Sequence, residues 1–147
     1  MAVTGSQLCN GSVMQIVYDL EPALSAQAFR DILMASTLAE RRPANDLERL
    51  ERMLRHADII LTARDGERLV GVSRAITDFA YCCYLSDLAV DAAYQRQGIG
   101  KRLIEETHAH AGRCTTLILI AAPAAETYYP KIGLKPVASG WMILRSS

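Results

Sequence analysis

Two glycines one residue apart, in the run Gln95-Arg96-Gln97-Gly98-Ile99-Gly100, are the residues best suited to hold a charged ligand. They follow a strand-like segment, Tyr84 to Asp91, and open an amphipathic helix from Ile99 to His110. A helix N-terminus leaves backbone N–H groups unpaired, and the helix dipole favours negative charge there. The junction therefore suits an anion, a phosphate or pyrophosphate in particular. Glycine lets the backbone approach a ligand closely and take φ angles that other residues avoid. Arg96, Lys101 and Arg102 add positive charge around the same turn. Read alone, G-x-G also fits an ordinary strand–turn–helix with a solvated basic face.

Other nucleotide-binding turns fit poorly. A P-loop needs Ser or Thr after its lysine, and Arg102 follows Lys101. A dinucleotide fingerprint needs a third Gly or Ala where Leu103 stands. The cysteines, Cys9, Cys82, Cys83 and Cys114, form no C-x-x-C pair, and His56, His108 and His110 are the only histidines. No metal site and no disulfide framework is expected, and the thiols read as reduced, in a cytoplasmic protein. Cys114 has no histidine beside it in sequence, so packing explains it better than a role as acyl-carrying nucleophile.

The elements that must position the turn follow from periodicity. Val13 to Tyr18 reads as a strand. Ser25 caps a helix through about Ser36, with Leu24, Phe29, Ile32 and Leu33 on one side. Residues 40–44 form a loop, because Pro43 disfavours helix for Arg42. Asn45 or Asp46 caps a second helix bearing Leu47, Leu50 and Leu54. Asp58 to Ala63 and Arg68 to Ala75 are strands joined at Asp65-Gly66, a strong hairpin signal. Tyr81 to Val90 is the strand before the turn. In the following helix Ile99, Leu103, Ile104 and Thr107 share a face, and Gly112 fits the C-cap. Thr115 to Ala121 is nearly all apolar, which predicts a buried parallel or central strand. Pro123 starts a short helix ending near Ile132, with Gly133 as its cap, and Val137 to Leu144 is read as a final strand. The order is β-α-α-β-β-β-α-β-α-β.

The chain's 147 residues suit one domain, 1–147, with residues 1–11 as a loose polar extension. Lys+Arg and Asp+Glu both number 16, so the formal net charge is zero. That balance argues against a dedicated nucleic-acid binder. No run reaches the ~18 apolar residues that span a bilayer, and residues 1–14 lack a signal peptide's basic and apolar regions. No membrane partner is expected.

The turn after Leu88-Ala89-Val90, within this order of elements, resembles the GCN5-related N-acetyltransferase (GNAT) superfamily, whose motif is Gln/Arg-x-x-Gly-x-Gly/Ala. A second stretch agrees. Ala125-Glu126-Thr127-Tyr128-Tyr129-Pro130-Lys131-Ile132-Gly133-Leu134 is similar to the family's later helix and turn, with Leu134 where Phe is common. The resemblance covers Val13 to Arg145. It implies an α/β fold of α+β type, with a mixed central sheet and helices on both faces.

The resemblance also implies an acetyl-coenzyme A-dependent N-acetyltransferase. Gln95, Arg96, Gln97, Gly98, Ile99, Gly100 and Lys101 would hold the pyrophosphate, mostly through backbone N–H groups. Leu88, Ala89 and Val90 would pair with the pantetheine arm, and N–H groups near Val90 would polarise the thioester carbonyl. Tyr129 matches the general acid, a phenol of pKa ~10 facing a thiolate of similar basicity; the alternative is that Tyr128 and Tyr129 are packing aromatics. Asp87 is either a base or a structural carboxylate. Strict alternation groups it with Leu85 and Ala89, and a bulge, expected here, would change that phase.

The loop between the first two helices would cover the acceptor cleft, where Arg41 or Arg42 meets an acidic group or is simply solvated. Phe79, Tyr81 and Tyr84 line an apolar pocket or pack as strand residues. The expected acceptor is a small-molecule primary amine, attacked directly in a ternary complex. The alternatives are a protein N-terminal or lysine acetyltransferase, and a non-catalytic acyl-coenzyme A sensor. By analogy with the family, a homodimer would pair through Val137 to Leu144.

Overall fold

The computed structural model describes residues 14–146; the expected extension, Cys9 and the first residue of the expected opening strand lie outside them. The hairpin signal at Asp65-Gly66 gives β2 (Ile59–Asp65) and β3 (Arg68–Thr77), with Gly66 at φ +59° in the turn. β1 (Ile16–Leu20) pairs antiparallel with β2, and β4 (Cys82–Val90) antiparallel with β3. β5 (Thr116–Ile118) lies parallel to β4, so the sheet order is β1-β2-β3-β4-β5.

Helices cover both faces, as the residue patterns require. α1 (Ala26–Ala35) is capped by Ser25, whose hydroxyl accepts from the Ala28 amide at 3.1 Å. α2 (Leu47–Arg55) is capped by Asp46, which accepts from the Arg49 amide at 2.9 Å. Each cap satisfies a donor the helix itself leaves open, worth about 1 kcal/mol. Leu24, Phe29, Ile32 and Leu33 are buried as expected, with Leu50 and Leu54, against Ile60, Val72 and Ala89 of the sheet. Leu47 is exposed instead. On the opposite face α3 (Ile99–Ala111) buries Ile99, Leu103 and Ile104 on Leu61, Ala63, Val70, Ala75 and Leu85. A buried hydroxyl pair, Ser73 to Thr107 at 2.6 Å, ties α3 to β3.

A β-bulge interrupts the β3–β4 ladder: Arg74 opposes Asp87 and Ala75 opposes Leu85, leaving Ser86 without a partner on β3. The phase of β4 reverses there. Cys83 and Leu85 pack under α3, and after the bulge Leu88 and Val90 do so. Ala89 faces the α1–α2 layer instead. Strict alternation, which places Leu85 and Ala89 together, fails at this one residue.

Four expectations need correction. The loop after α1 carries a 3-10 turn, Leu38–Arg41, before Pro43 ends helical geometry. The stretch from Thr115 pairs only over three residues, at the sheet edge of the described chain, and is half exposed rather than buried. Its apolar run cannot be read as central because nothing packs on both of its sides. The helix from Pro123 breaks into a 3-10 turn, Pro123–Ala125, and a short α4 (Tyr128–Lys131).

The expected final strand, Val137 to Leu144, does not form. Ala138 and Ser139 make a turn followed by Gly140, which leaves the apolar residues beyond it outside the sheet. Trp141 is 96% and Ile143 100% exposed.

Candidate active site

The site begins where β4 and β5 part. They pair only at Cys82–Tyr84, so from Leu85 onward the edge of β4 facing β5 has no strand beside it among the described residues. A cavity of about 470 Å³ opens at the parting. Leu85, Ser86, Leu88 and Val90 form its β4 wall, Leu119 and Ile120 the opposite wall, and Leu38, Glu40, Arg41 and Arg42 its rim. Parallel strands that separate in this way leave N–H and C=O groups available to an extended ligand, which can add as a further strand.

β4 feeds directly into the glycine turn. Asp91 accepts from the Ala93 amide at 2.9 Å and pairs with Arg68, and the Tyr94 hydroxyl donates to Asp65 at 2.8 Å. The turn is thus anchored to the β2–β3 hairpin. Gln95 Nε2 donates to the Val90 carbonyl at 3.1 Å, and Gln95 also lines the cavity. Arg96 adopts φ +63° and Gly98 φ +82°. A Cβ on Gly98 would meet nothing within 4 Å, so the glycine answers a backbone need, with open space outside it. No side chain caps α3 at Gly98. The first-turn amides therefore present themselves to an anion such as a phosphate or pyrophosphate.

The Ile99 side chain is buried beneath α3, which leaves only its backbone at the turn. Close approach of α3 to the sheet depends on Gly71 of β3. A Cβ there would stand 3.0 Å from Leu103 Cδ1, 3.2 Å from Ile99 Cγ2 and 3.3 Å from Ala63 Cβ.

Tyr128 and Tyr129 pack edge to face, with ring centroids 5.4 Å apart. They point to different places. The Tyr128 hydroxyl reaches the N-terminus of α3, close against Gly100, and the Lys101 side chain pairs with Glu105 at 3.8 Å. Tyr129 lines the cavity beside Leu88 and Val90. Burial, and then the neighbouring Tyr128, push the Tyr129 phenol above its ordinary 10.0, so it holds its proton at neutral pH.

Asp87 lies beneath the cavity wall and is fully buried. One carboxylate oxygen accepts from Arg42 Nε and the other from Arg74 Nε. Arg42 also donates to the Ser86 carbonyl at 2.8 Å and the Arg41 carbonyl at 2.9 Å. Arg74 donates to the Ser86 hydroxyl at 3.0 Å and the Met53 carbonyl at 3.3 Å. A buried charge requires this kind of pairing. Among the cavity-lining residues, Glu40 is the one carboxylate.

Residues 24–140 match the acetyltransferase (GNAT) domain family. The chain belongs to the GNAT family. Among solved structures it is similar to a GNAT-family acetyltransferase of Streptococcus pneumoniae, at 23% identity and TM-score 0.73, covering 90% of this chain and 98% of that one. It is also similar in fold to an aminoglycoside acetyltransferase from an uncultured soil metagenome, solved with sisomicin, at 20% identity and TM-score 0.62, covering 88% and 97%. Among curated proteins, the Glycine max histone acetyltransferase TAP1 is 45% identical over 42 residues. That stretch is 29% of this chain and 18% of the soybean protein, so the match spans under a fifth of that relative.

Within this GNAT site the structure brings Leu88, Val90, Gln95 and Tyr129 to one cavity. Ala89 turns away into the α1–α2 core. Asp87 sits under the wall with both oxygens engaged, and Arg42 is held by three acceptors while Arg41 is exposed at the rim. Tyr81, Phe79 and Tyr84 are exposed and line none of the cavity. Sequence reasoning missed Gly71, Arg74, Ser86 and the separate placement of Tyr128. Only Gly71 carried a signal, as an isolated glycine inside a strand pattern.

Proposed function

We propose that this GNAT domain, residues 1–147, transfers the acetyl group of acetyl-coenzyme A to a primary amine of a small molecule, by direct attack in a ternary complex. The observation that carries the reading is the parting of β4 from β5 beside an uncapped, glycine-opened helix N-terminus, with Tyr129 in the same cavity. Acetyl-coenzyme A supplies an activated thioester. The amides of residues 97–101 bind its pyrophosphate, with Gln95 and Arg96 flanking them. The free edge of β4 around Leu88 and Val90 orients the arm and directs N–H groups at the carbonyl oxygen. Tyr129, kept protonated by burial, gives its proton to the departing thiolate.

Asp87 is buried beneath the wall with each oxygen held by a guanidinium and lines none of the cavity, so the base is a water chain or a residue of the acceptor rim. Arg41, exposed at that rim, is the arginine available to an acidic group on the acceptor; Arg42 is occupied. The aminoglycoside acetyltransferase neighbour supports a small-molecule acceptor. The soybean relative's name supports the second reading, a protein N-terminal or lysine acetyltransferase. Cytoplasmic placement accords with the free thiols of Cys82, Cys83 and Cys114. The homodimer, if formed, would use the exposed apolar residues of 137–144. Thiol release from acetyl-coenzyme A across a panel of amines and peptides tests the reading. Turnover with small amines supports it, and turnover with peptides alone selects the second. Tight binding without thiol release from any acceptor would mean an acyl-coenzyme A sensor.

A further inference from the structure

We propose that Arg42 is a positioning residue for acyl transfer, whose guanidinium clamps the β-bulge at Ser86 and thereby sets the free edge of β4. The inference rests on the acetyl-coenzyme A reading above. It assigns Arg42 to the donor side of the reaction, although the residue comes from the acceptor loop.

A bulge leaves backbone and side-chain polar groups without their ladder partners, and these must be met some other way. At Ser86 two guanidinium groups meet them. Arg42 takes the carbonyl at 2.8 Å and Arg74 the hydroxyl at 3.0 Å. The next residue, Asp87, is fully buried and bridges the Nε atoms of both arginines. Arg74 is part of β3 and cannot leave the sheet. Arg42 arrives from the loop between α1 and α2, 45 residues before Asp87.

The clamp sits where function needs it. β4 is paired on its β5 side up to Tyr84 and unpaired from Leu85, so the bulge lies at the start of the open edge. Its phase reversal is what turns Leu88 and Val90 toward α3 and the cavity. Without Arg42, the Ser86 carbonyl and one Asp87 oxygen lose their partner, and the extra residue loses what holds it out of the ladder. The edge amides then lose their aim at the thioester. The fork of arginine is essential to this task, because a lysine is a point charge and cannot span carboxylate, Ser86 carbonyl and Arg41 carbonyl in one plane.

Calorimetric titration with acetyl-coenzyme A and amide hydrogen exchange, on the wild type, Arg42→Ala and Arg42→Lys, test the proposal. Both variants should bind about tenfold more weakly, the scale of losing one or two backbone hydrogen bonds between the arm and the β4 edge. Exchange should quicken at residues 86–90 and stay unchanged in α3. If the wild type does not bind, the acetyl-coenzyme A reading fails and takes the inference with it. If the wild type binds and Arg42→Ala binds equally, the inference alone fails. Full affinity in Arg42→Lys, or faster exchange spread evenly over the sheet, also overturns it. Should Arg42→Ala not fold, Arg42→Lys decides by itself, since loss of the fork predicts the same weakening.

Discussion

The hydroxyl of Tyr128 stands 3.0 Å from the point a Cβ would occupy on Gly100. The second glycine of the turn thus makes room for a protein side chain. Gly100→Ala is expected to cost about 1 kcal/mol through crowding. In a Tyr128→Phe background, where the nearest remaining ring atom is the Cζ at 3.7 Å, most of that cost should vanish. Urea unfolding of the two single variants and the double variant gives the coupling. Strict additivity would mean that the Tyr128 tip swings aside freely.

Gly71→Ala should destabilise the protein by roughly 1–3 kcal/mol, because the new methyl meets Leu103, Ile99 and Ala63 in a packed core. Relief requires α3 to move outward, and the first turn of α3 is the anion-binding end. Weaker acetyl-coenzyme A binding should accompany the lower melting temperature. Unchanged affinity would show that the strain is absorbed elsewhere.

Tyr129→Phe should lower kcat by on the order of 10² with little change in affinity for acetyl-coenzyme A, the usual scale for losing a general acid. Because burial raises the folded phenol above 10.0, the loss of activity that its ionisation causes falls at still higher pH. The same raised value means that its contribution to stability is complete below about 10 and disappears as pH rises through the folded value. A pH–rate profile whose alkaline limb is absent in Tyr129→Phe would bear this out. A limb that persists unaltered removes the assignment.

Asp78 provides a probe at the acid end. Its carboxylate accepts from the amides of Ala80, Tyr81 and Cys82 at 2.9, 2.8 and 3.0 Å, shaping the turn that enters β4. Those backbone bonds hold its pKa down to about 2 from 3.8. A depressed carboxylate stabilises the fold above its unfolded value and ceases to do so as pH falls through the folded one. The stability gap between wild type and Asp78→Ala should therefore be full above pH 4 and close toward pH 2. A gap independent of pH would show that the turn does not need the charge.

Arg41→Ala should raise KM for an acidic amine acceptor while leaving that for acetyl-coenzyme A in place. Steady-state kinetics with the acceptor that the amine panel identifies is the check. Equal KM values would leave Arg41 as solvated surface.

Local chemistry was legible in the sequence. The Ser25 and Asp46 caps, the Asp65-Gly66 hairpin and the buried stripe of α3 each follow from residues within a few positions of one another. What escaped depends on partners far along the chain. Gly71 is explained only by Leu103 and Ile99 packing on it from α3. Asp87 is explained only by Arg42 and Arg74, which no spacing rule connects to it. The bulge was expected near Asp87, but its position at Ser86 emerges only from the register with β3. The apolar run after Gly140 resembled a strand because composition records a preference for pairing and cannot supply a neighbour.

The protein holds a single tryptophan, Trp141, and it stands 96% exposed outside the sheet. Its indole already emits in a water-like setting in the native state. Thermal or denaturant melts followed by tryptophan emission would therefore trace almost flat curves while the core comes apart. The same isolation makes Trp141 a clean optical reporter for anything that docks on the C-terminal segment: a blue shift on adding ligand or raising protein concentration would register an event there and nowhere else.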